Sequence, residues 1–257
     1  MKKTIIMIIM LLLSLGKIFA QLNESDTLRF QLRASLSGNY QQGNVVYFAL
    51  RSKLDLTFAP YKKWVLKSQN NSLYQAFFSQ KADNDIFSRN FLYYNPRGRI
   101  YPFAIAYVSS NFRRKINNRY FAGAGATWQA VNTKNHVLKF SASAVYEATK
   151  FNADTYNYDE YNGNSNINLW RGTLYLAGQH YLFERQIRLF YDAYWQPSFD
   201  NADNYRTQAD AGMDFPVWKG VSMSILYTLT HEHVVAQNIK QEDKILSFGL
   251  AYNFKRK

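Results

Sequence analysis

Ser247-Phe248-Gly249-Leu250-Ala251-Tyr252-Asn253-Phe254 is the last patterned stretch of the chain. Leu246, Phe248, Leu250, Tyr252 and Phe254 share one face, and Ser247, Gly249, Ala251 and Asn253 share the other. Side chains along a strand point alternately to its two sides. A wholly apolar face backed by a small, polar one is what a strand needs with lipid outside and a lumen inside. A soluble amphipathic strand alternates too, so the reading depends on whether the pattern recurs along the chain.

It recurs eleven times more. The clearest copies run over 28–40, 45–58, 137–148, 187–196, 205–215 and 221–230. In 45–58, Val46, Phe48, Leu50, Leu54, Leu56 and Phe58 oppose Arg51, Lys53 and Asp55. In 120–131, Gly123 and Gly125 fall on the lumen face, opposite Tyr120, Ala122, Ala124, Ala126 and Trp128. Segments 63–78 and 86–94 are poorly phased: Arg89 lies in register with Phe87 and Phe91. A charge facing lipid at the midplane costs about 2–4 kcal/mol, so a rim position, a bulge or a misplaced boundary is expected there.

The connections alternate in length. If both termini are periplasmic, 59–62, 132–135, 183–184 and 216–220 fall on the periplasmic side and are short, whereas 149–164 and 234–243 fall outside and are long. These features predict an all-β chain: one transmembrane, antiparallel, up-and-down β-barrel of 12 strands, with 10 or 14 as the counting errors.

Residues 1–20 predict a cleaved secretory signal, leaving 21–257 as a single barrel domain. Lys2 and Lys3 precede an unbroken apolar run from Ile5 to Leu13, and Ala20 precedes the expected cut. The chain has no cysteine, which excludes a lipoprotein signal and a disulfide framework. No later stretch approaches the roughly 20 apolar residues of a membrane helix. Aromatic residues are 17% of the chain while mean hydropathy is only −0.37. That pairing suits a barrel with a polar interior and aromatic girdles at both membrane surfaces. Net charge is +13, and the basic residues are scattered with no run of five, so nucleic acid is a poor partner. A basic lumen, or contact with anionic lipid headgroups, fits better.

Ser247, Gly249, Tyr252 and Phe254 resemble the C-terminal insertion signal of bacterial outer-membrane barrels, although Lys255-Arg256-Lys257 follow the final Phe. The whole pattern resembles an uncharacterised family of outer-membrane barrels that includes the salt-induced outer-membrane proteins. Gly43-Asn44, Arg119-x-x-x-Gly123-x-Gly125 and the closing Tyr252-x-Phe254 carry that resemblance. It implies the outer membrane of a Gram-negative bacterium. The surroundings would be lipid and lipopolysaccharide, with the barrel-assembly machinery as partner during insertion. It implies no catalytic residue.

A search for chemistry finds little. A His-x-Ser pair would place base and nucleophile on one strand face. None of His136, His180, His231 and His233 has a serine two residues on. His231-Glu232-His233 lacks the third and fourth ligands that a metal site needs, so neither metal nor cofactor is expected. The lumen face is more informative. Phasing places Arg29, Arg33, Arg51, Lys53, Lys139, Arg171, Arg188 and Arg206 inside, with Asp55, Glu147, Asp192, Asp210, Asp214 and Glu232. Two readings stay open. Acids and bases interleave as a packed network, or the basic excess lines a narrow pore that weakly favours small anionic solutes. The first makes a closed structural or adhesion barrel acting through its outer loops, the second a channel; neither is an enzyme.

Overall fold

The computed structural model describes residues 23–26, 28–61 and 63–256. The expected signal segment, 1–20, lies outside the described residues. The described residues form twelve antiparallel strands: β1 (Phe30–Gln41), β2 (Tyr47–Tyr61), β3 (Trp64–Phe77), β4 (Gln80–Tyr94), β5 (Ile100–Asn111), β6 (Ile116–Asn132), β7 (His136–Phe151), β8 (Asn166–Leu182), β9 (Ile187–Pro197), β10 (Tyr205–Trp218), β11 (Val221–Glu232) and β12 (Glu242–Arg256). Each strand pairs with its neighbours in sequence, and β1 pairs with β12, from Phe30↔Arg256 to Ser37↔Gly249, closing the ring. Closure satisfies every ladder without leaving an edge, as lipid demands.

Both chain ends emerge at one mouth, the terminal mouth. Its connections are short, from 62–63 to the five residues 95–99. The long connections 152–165 and 233–241 stand at the other, distal mouth. The distal side also holds one two-residue turn, Phe78-Ser79, with both residues at positive φ (46° and 62°). That is the type I′ geometry that matches strand twist, here achieved without the usual Asn or Gly.

The apolar faces expected outward are outward. Leu36, Leu50, Phe140, Met223, Phe248 and Leu250 are exposed, and Trp64, Tyr94, Trp128, Tyr120, Tyr146 and Trp195 stand toward the strand ends as interface aromatics. The difficult strand, β4, starts at Gln80, ahead of the expected 86, and its phase is the reverse of the expected one. Phe87, Arg89, Phe91 and Tyr93 point into the lumen, and Ile86, Ser88, Asn90 and Leu92 point out. The aromatic face is the inner one, so Arg89 avoids lipid without a bulge or a rim position.

Gly123 and Gly125 lie where β6 packs closely against β7. A Cβ at Gly123 would meet the Ala144 carbonyl oxygen. One at Gly125 would meet the Ala142 carbonyl oxygen and lie 2.8 Å from the Phe103 ring. Gly125→Val is expected to destabilise the barrel by about 1–3 kcal/mol, the usual cost of overpacking. A lower urea midpoint for the heat-modifiable folded band would register it.

Candidate functional site

The lumen is the site, and it has three levels. At the terminal mouth the chain ahead of β1 turns inward, so Asn23, Glu24 and Ser25 are buried in the barrel. Gln31 on β1 holds this segment by the backbone: its Nε2 donates to the Asn23 carbonyl (3.0 Å), and the Asn23 N–H donates to its Oε1 (3.2 Å). Lys139 on β7 reaches across and donates from Nζ to Asn23 Oδ1 (2.5 Å), Glu24 Oε1 (2.7 Å) and Ser25 Oγ (3.1 Å). Tyr101 donates to Glu24 Oε1 (3.0 Å), and Lys67 on β3 pairs with Glu24 Oε2 (3.2 Å). Burial alone would raise the Glu24 pKa, but the two lysines, Lys139 first, overcome it and hold the carboxyl well below its usual range.

Above this plug lies a cavity of about 210 Å³. One side of its wall is aromatic, with Phe87 and Phe91 from β4, Phe103 and Tyr107 from β5 and Phe121 from β6; Tyr175, Phe190 and Tyr194 face in from β8 and β9. Tyr107 stacks between Phe87 (5.9 Å) and Phe121 (4.4 Å). Arg89 crosses the space: its Nε donates to Gln69 Oε1 (3.0 Å), its guanidinium lies 5.5 Å from the Tyr175 ring, and its Nη2 is 3.7 Å from Asp192 Oδ1. The cavity is polar and aromatic by turns, and large enough for several waters.

The distal level is crowded by a network of charges. Glu147 on β7 takes Arg206 from β10 (2.5 Å), Arg171 from β8 (3.3 Å) and Arg119 from β6 (3.8 Å). Arg119 also grips Glu232 on β11 with both Nη atoms (2.8 and 2.9 Å). Arg114 joins Glu232 (3.4 Å) to Asp243 (2.8 Å), and Arg113 joins Asp243 (2.6 Å) to Asp83 (3.2 Å). Only about 10 Å³ remains open in the pocket around Glu147, so the lumen is narrow at this level. Over it sits an apolar cap of Ile116, Phe151, Tyr156, Ile167, Leu169 and Val234. The two long loops meet there through the Tyr156–Ala236 bridge.

The residues expected in the lumen are therefore placed as follows. Arg33 and Arg188 both meet Asp214 (2.9 and 2.6 Å), and Lys53 meets Asp210 (2.7 Å). Arg171, Arg206 and Glu147 form the distal layer, Lys139 holds the plug, and Asp55 and Asp192 line the cavity. Arg51 finds hydroxyls instead of carboxylates, Thr228 Oγ1 (3.1 Å) and Ser247 Oγ (3.4 Å). Arg29 is a correction. It is exposed just ahead of β1, because the strand begins at Phe30 and the chain before it bends away from strand alternation. Of the C-terminal motif, Tyr252 and Phe254 are exposed, while Ser247 and Gly249 lie on the inner face. Glu24, Lys67, Arg89, Arg113, Arg114, Arg119, Asp83 and Asp243 were not anticipated. His231 stacks on Tyr205 (5.5 Å) and His233 packs tilted against it (5.1 Å), leaving Glu232 to Arg119. Among the described residues no three His, Cys, Asp or Glu side chains gather as metal ligands.

A closed barrel of twelve antiparallel strands, apolar outside and charged within, is a membrane barrel of the outer-membrane type. Residues 34–254 match the family described as a protein of unknown function, DUF481, and the chain belongs to that family. A search of curated protein sequences returns no match. Among solved structures, the NanC porin is 10% identical with a TM-score of 0.53, over 87% of this chain and 98% of that one. An outer-membrane channel of Pseudomonas putida F1 is 11% identical (TM-score 0.46; 93% and 98% covered). LpxR from Salmonella typhimurium is 9% identical (TM-score 0.41; 87% and 99% covered). At such identities the NanC likeness shows the barrel fold alone.

Glu147 offers a direct test of the packed layer. Glu147→Gln leaves three arginines facing one neutral amide, and breaking a buried pair typically costs about 3–5 kcal/mol. A matching loss of urea stability is expected, without loss of the ability to insert.

Proposed function

We propose that this protein is a gated channel of the Gram-negative outer membrane that passes small solutes with a weak preference for anions. One observation carries the reading: the counter-ion of two lumen lysines sits ahead of β1, on a segment outside the strand ladder. Among the described residues, Glu24 is the only ion-pair partner of Lys139 and of Lys67. Elsewhere Asp214, Asp210 and Glu147 stand on the strands themselves and cannot leave. When residues 23–26 swing out, the mouth opens and two ammonium groups lose their carboxylate together. Opening and a positive lumen potential are thereby the same event, which favours anion entry. In this reading the terminal mouth is periplasmic and the wall meets outer-membrane lipid and lipopolysaccharide. Ser247, Gly249, Tyr252 and Phe254 serve the assembly machinery.

A second reading is favoured by the distal cap. The loops pack Tyr156 and Val234 onto the strand residues Ile116, Phe151, Ile167 and Leu169 and bridge to each other, a fixed platform that suits a closed barrel contacting partners through 152–165 and 233–241.

Single-channel recording of the mature chain (21–257) in a planar bilayer under a salt gradient separates the two. The channel reading expects rare openings in the unaltered chain, more frequent ones in Glu24→Gln, and an anion-shifted reversal potential. Lys139→Gln in that background should reduce the shift. A folded barrel that stays silent in all three supports the platform instead. Arg51→Ala adds a check: it should weaken anion preference in a pore, but only stability in a packed interior.

The latch also fixes the pH response. A carboxyl held below its ordinary value of 4.5 stabilises the closed form fully above that pH and loses the contribution only as pH falls beneath it. Open probability is expected to stay flat from neutral pH down to about 4.5 and to rise only in stronger acid.

A further inference from the structure

Round most of its circumference the lipid-facing wall is apolar, as with Leu174 on β8, Met223 on β11 and Leu250 on β12. On β2, β3 and β4 it is not. Ser52, Ser68, Asn70, Ser72, Ser88 and Asn90 fall on the outward face, in cross-strand contact: Asn70 stands opposite Ser88, Ser68 opposite Asn90, and Ser72 opposite Ser52. Their depth is set by β3, where Trp64 and Leu66 are exposed on one side of the cluster and Tyr74 on the other. The cluster thus lies between the two aromatic belts, within the hydrocarbon layer. The wall is also concave there, with a groove of about 360 Å³ that Ser52, Asn70, Ser72 and Ser88 line.

Local bonds do not exhaust these groups. Asn70 Nδ2 donates to the Leu54 carbonyl (3.2 Å) and to Ser68 Oγ (3.0 Å), and Asn90 Nδ2 donates to Ser88 Oγ (3.0 Å). Among the described residues neither amide oxygen accepts a hydrogen bond, and one Asn90 N–H is left over. Acyl chains offer neither donor nor acceptor, so such groups seek protein partners.

We propose that this patch is a homodimer interface, packed against the same patch on a second copy of the chain. Copies inserted in one membrane share one orientation, so a two-fold axis along the membrane normal brings identical residues together at identical depth. The patch suits self-pairing. It carries no charge to repel its counterpart, and the spare N–H of Asn90 on each copy can meet an amide oxygen of Asn70 or Asn90 on the other. Beside it Ala104 and Ala106 on β5 and Ala122 and Ala124 on β6 keep the wall flat, which lets two backbones approach. A water-soluble partner does not reach this depth.

The absence of native cysteine makes the test direct. Asn70→Cys and Asn90→Cys, each introduced into the full-length protein exported to the outer membrane, should form a disulfide-linked dimer on mild oxidation. Met223→Cys and Leu250→Cys, equally open on the remote wall, should remain monomeric. In the double variant Asn70→Leu, Asn90→Leu, subunit counting in lipid nanodiscs should show the dimer population falling to a minor fraction, while the heat-modifiable band confirms folding. Cross-linking that is absent at the patch, or equal on both walls, would overturn the proposal. So would a folded leucine variant with its dimer population unchanged.

Discussion

Everything in this molecule follows from the pairing of β1 with β12. Without it, two long edges of backbone N–H and C=O groups would face hydrocarbon, at several kcal/mol for each group. The seam is tight: a Cβ on Gly249 would collide with the Leu36 carbonyl oxygen, so a small residue is required where the last strand meets the first. Closing an even number of antiparallel strands also forces both chain ends to one mouth. The residues just ahead of β1 therefore start at the rim of the lumen, and Gln31, the first inward side chain of that strand, holds Asn23 by two hydrogen bonds. The plug is thus a short step from the topology.

A ring of twelve strands encloses more room than small side chains fill, and charges placed there must be neutralised locally. The protein does this with pairs that cross the barrel. Arg119 on β6 meets Glu232 on β11, and Lys139 on β7 meets Glu24 from ahead of β1. Such bridges brace opposite walls and also narrow the passage. What distinguishes the two ends is where the counter-ions are rooted. The distal layer is anchored on strands through Glu147 and Glu232, whereas the terminal layer depends on a carboxylate carried by a few residues of connecting chain. The asymmetry makes the terminal mouth the weaker closure.

The barrel was legible because lipid imposes a period of two on strand after strand, and most strands have an inner face that is polar. Their count and order, and the inward placement of Lys53, Glu147 and Asp210, could be read from alternation alone. Three things could not. The start of β4 was hidden because its turn, Phe78-Ser79, lacks the glycine or asparagine that marks a type I′ hairpin. Arg119 was missed as a lumen residue because β6 was started four residues late, at Tyr120. The contacts of Lys139 with the plug join residues more than a hundred positions apart, as with Glu24, and no local pattern records them. Arg29 fails for the opposite reason: alternation read from Leu28 starts two residues ahead of the strand.

The phasing of β3 and β4 failed for a more instructive reason. The rule that apolar side chains face lipid and polar ones face the lumen is inverted there on both sides at once. Inside, Phe87, Phe91 and Tyr93 replace the charges found on other strands; outside, Ser68, Asn70, Ser88 and Asn90 replace the leucines. Arg89 held the clue, since its charge excludes the lipid face and takes Phe87 and Phe91 inward with it. An inner aromatic wall gives the cavity one flat apolar side and leaves Arg89 weakly paired beside it. An outer polar wall is tolerable in hydrocarbon only if it is covered. A single departure from the pattern on two strands thus equips the lumen on one side and demands a protein neighbour on the other.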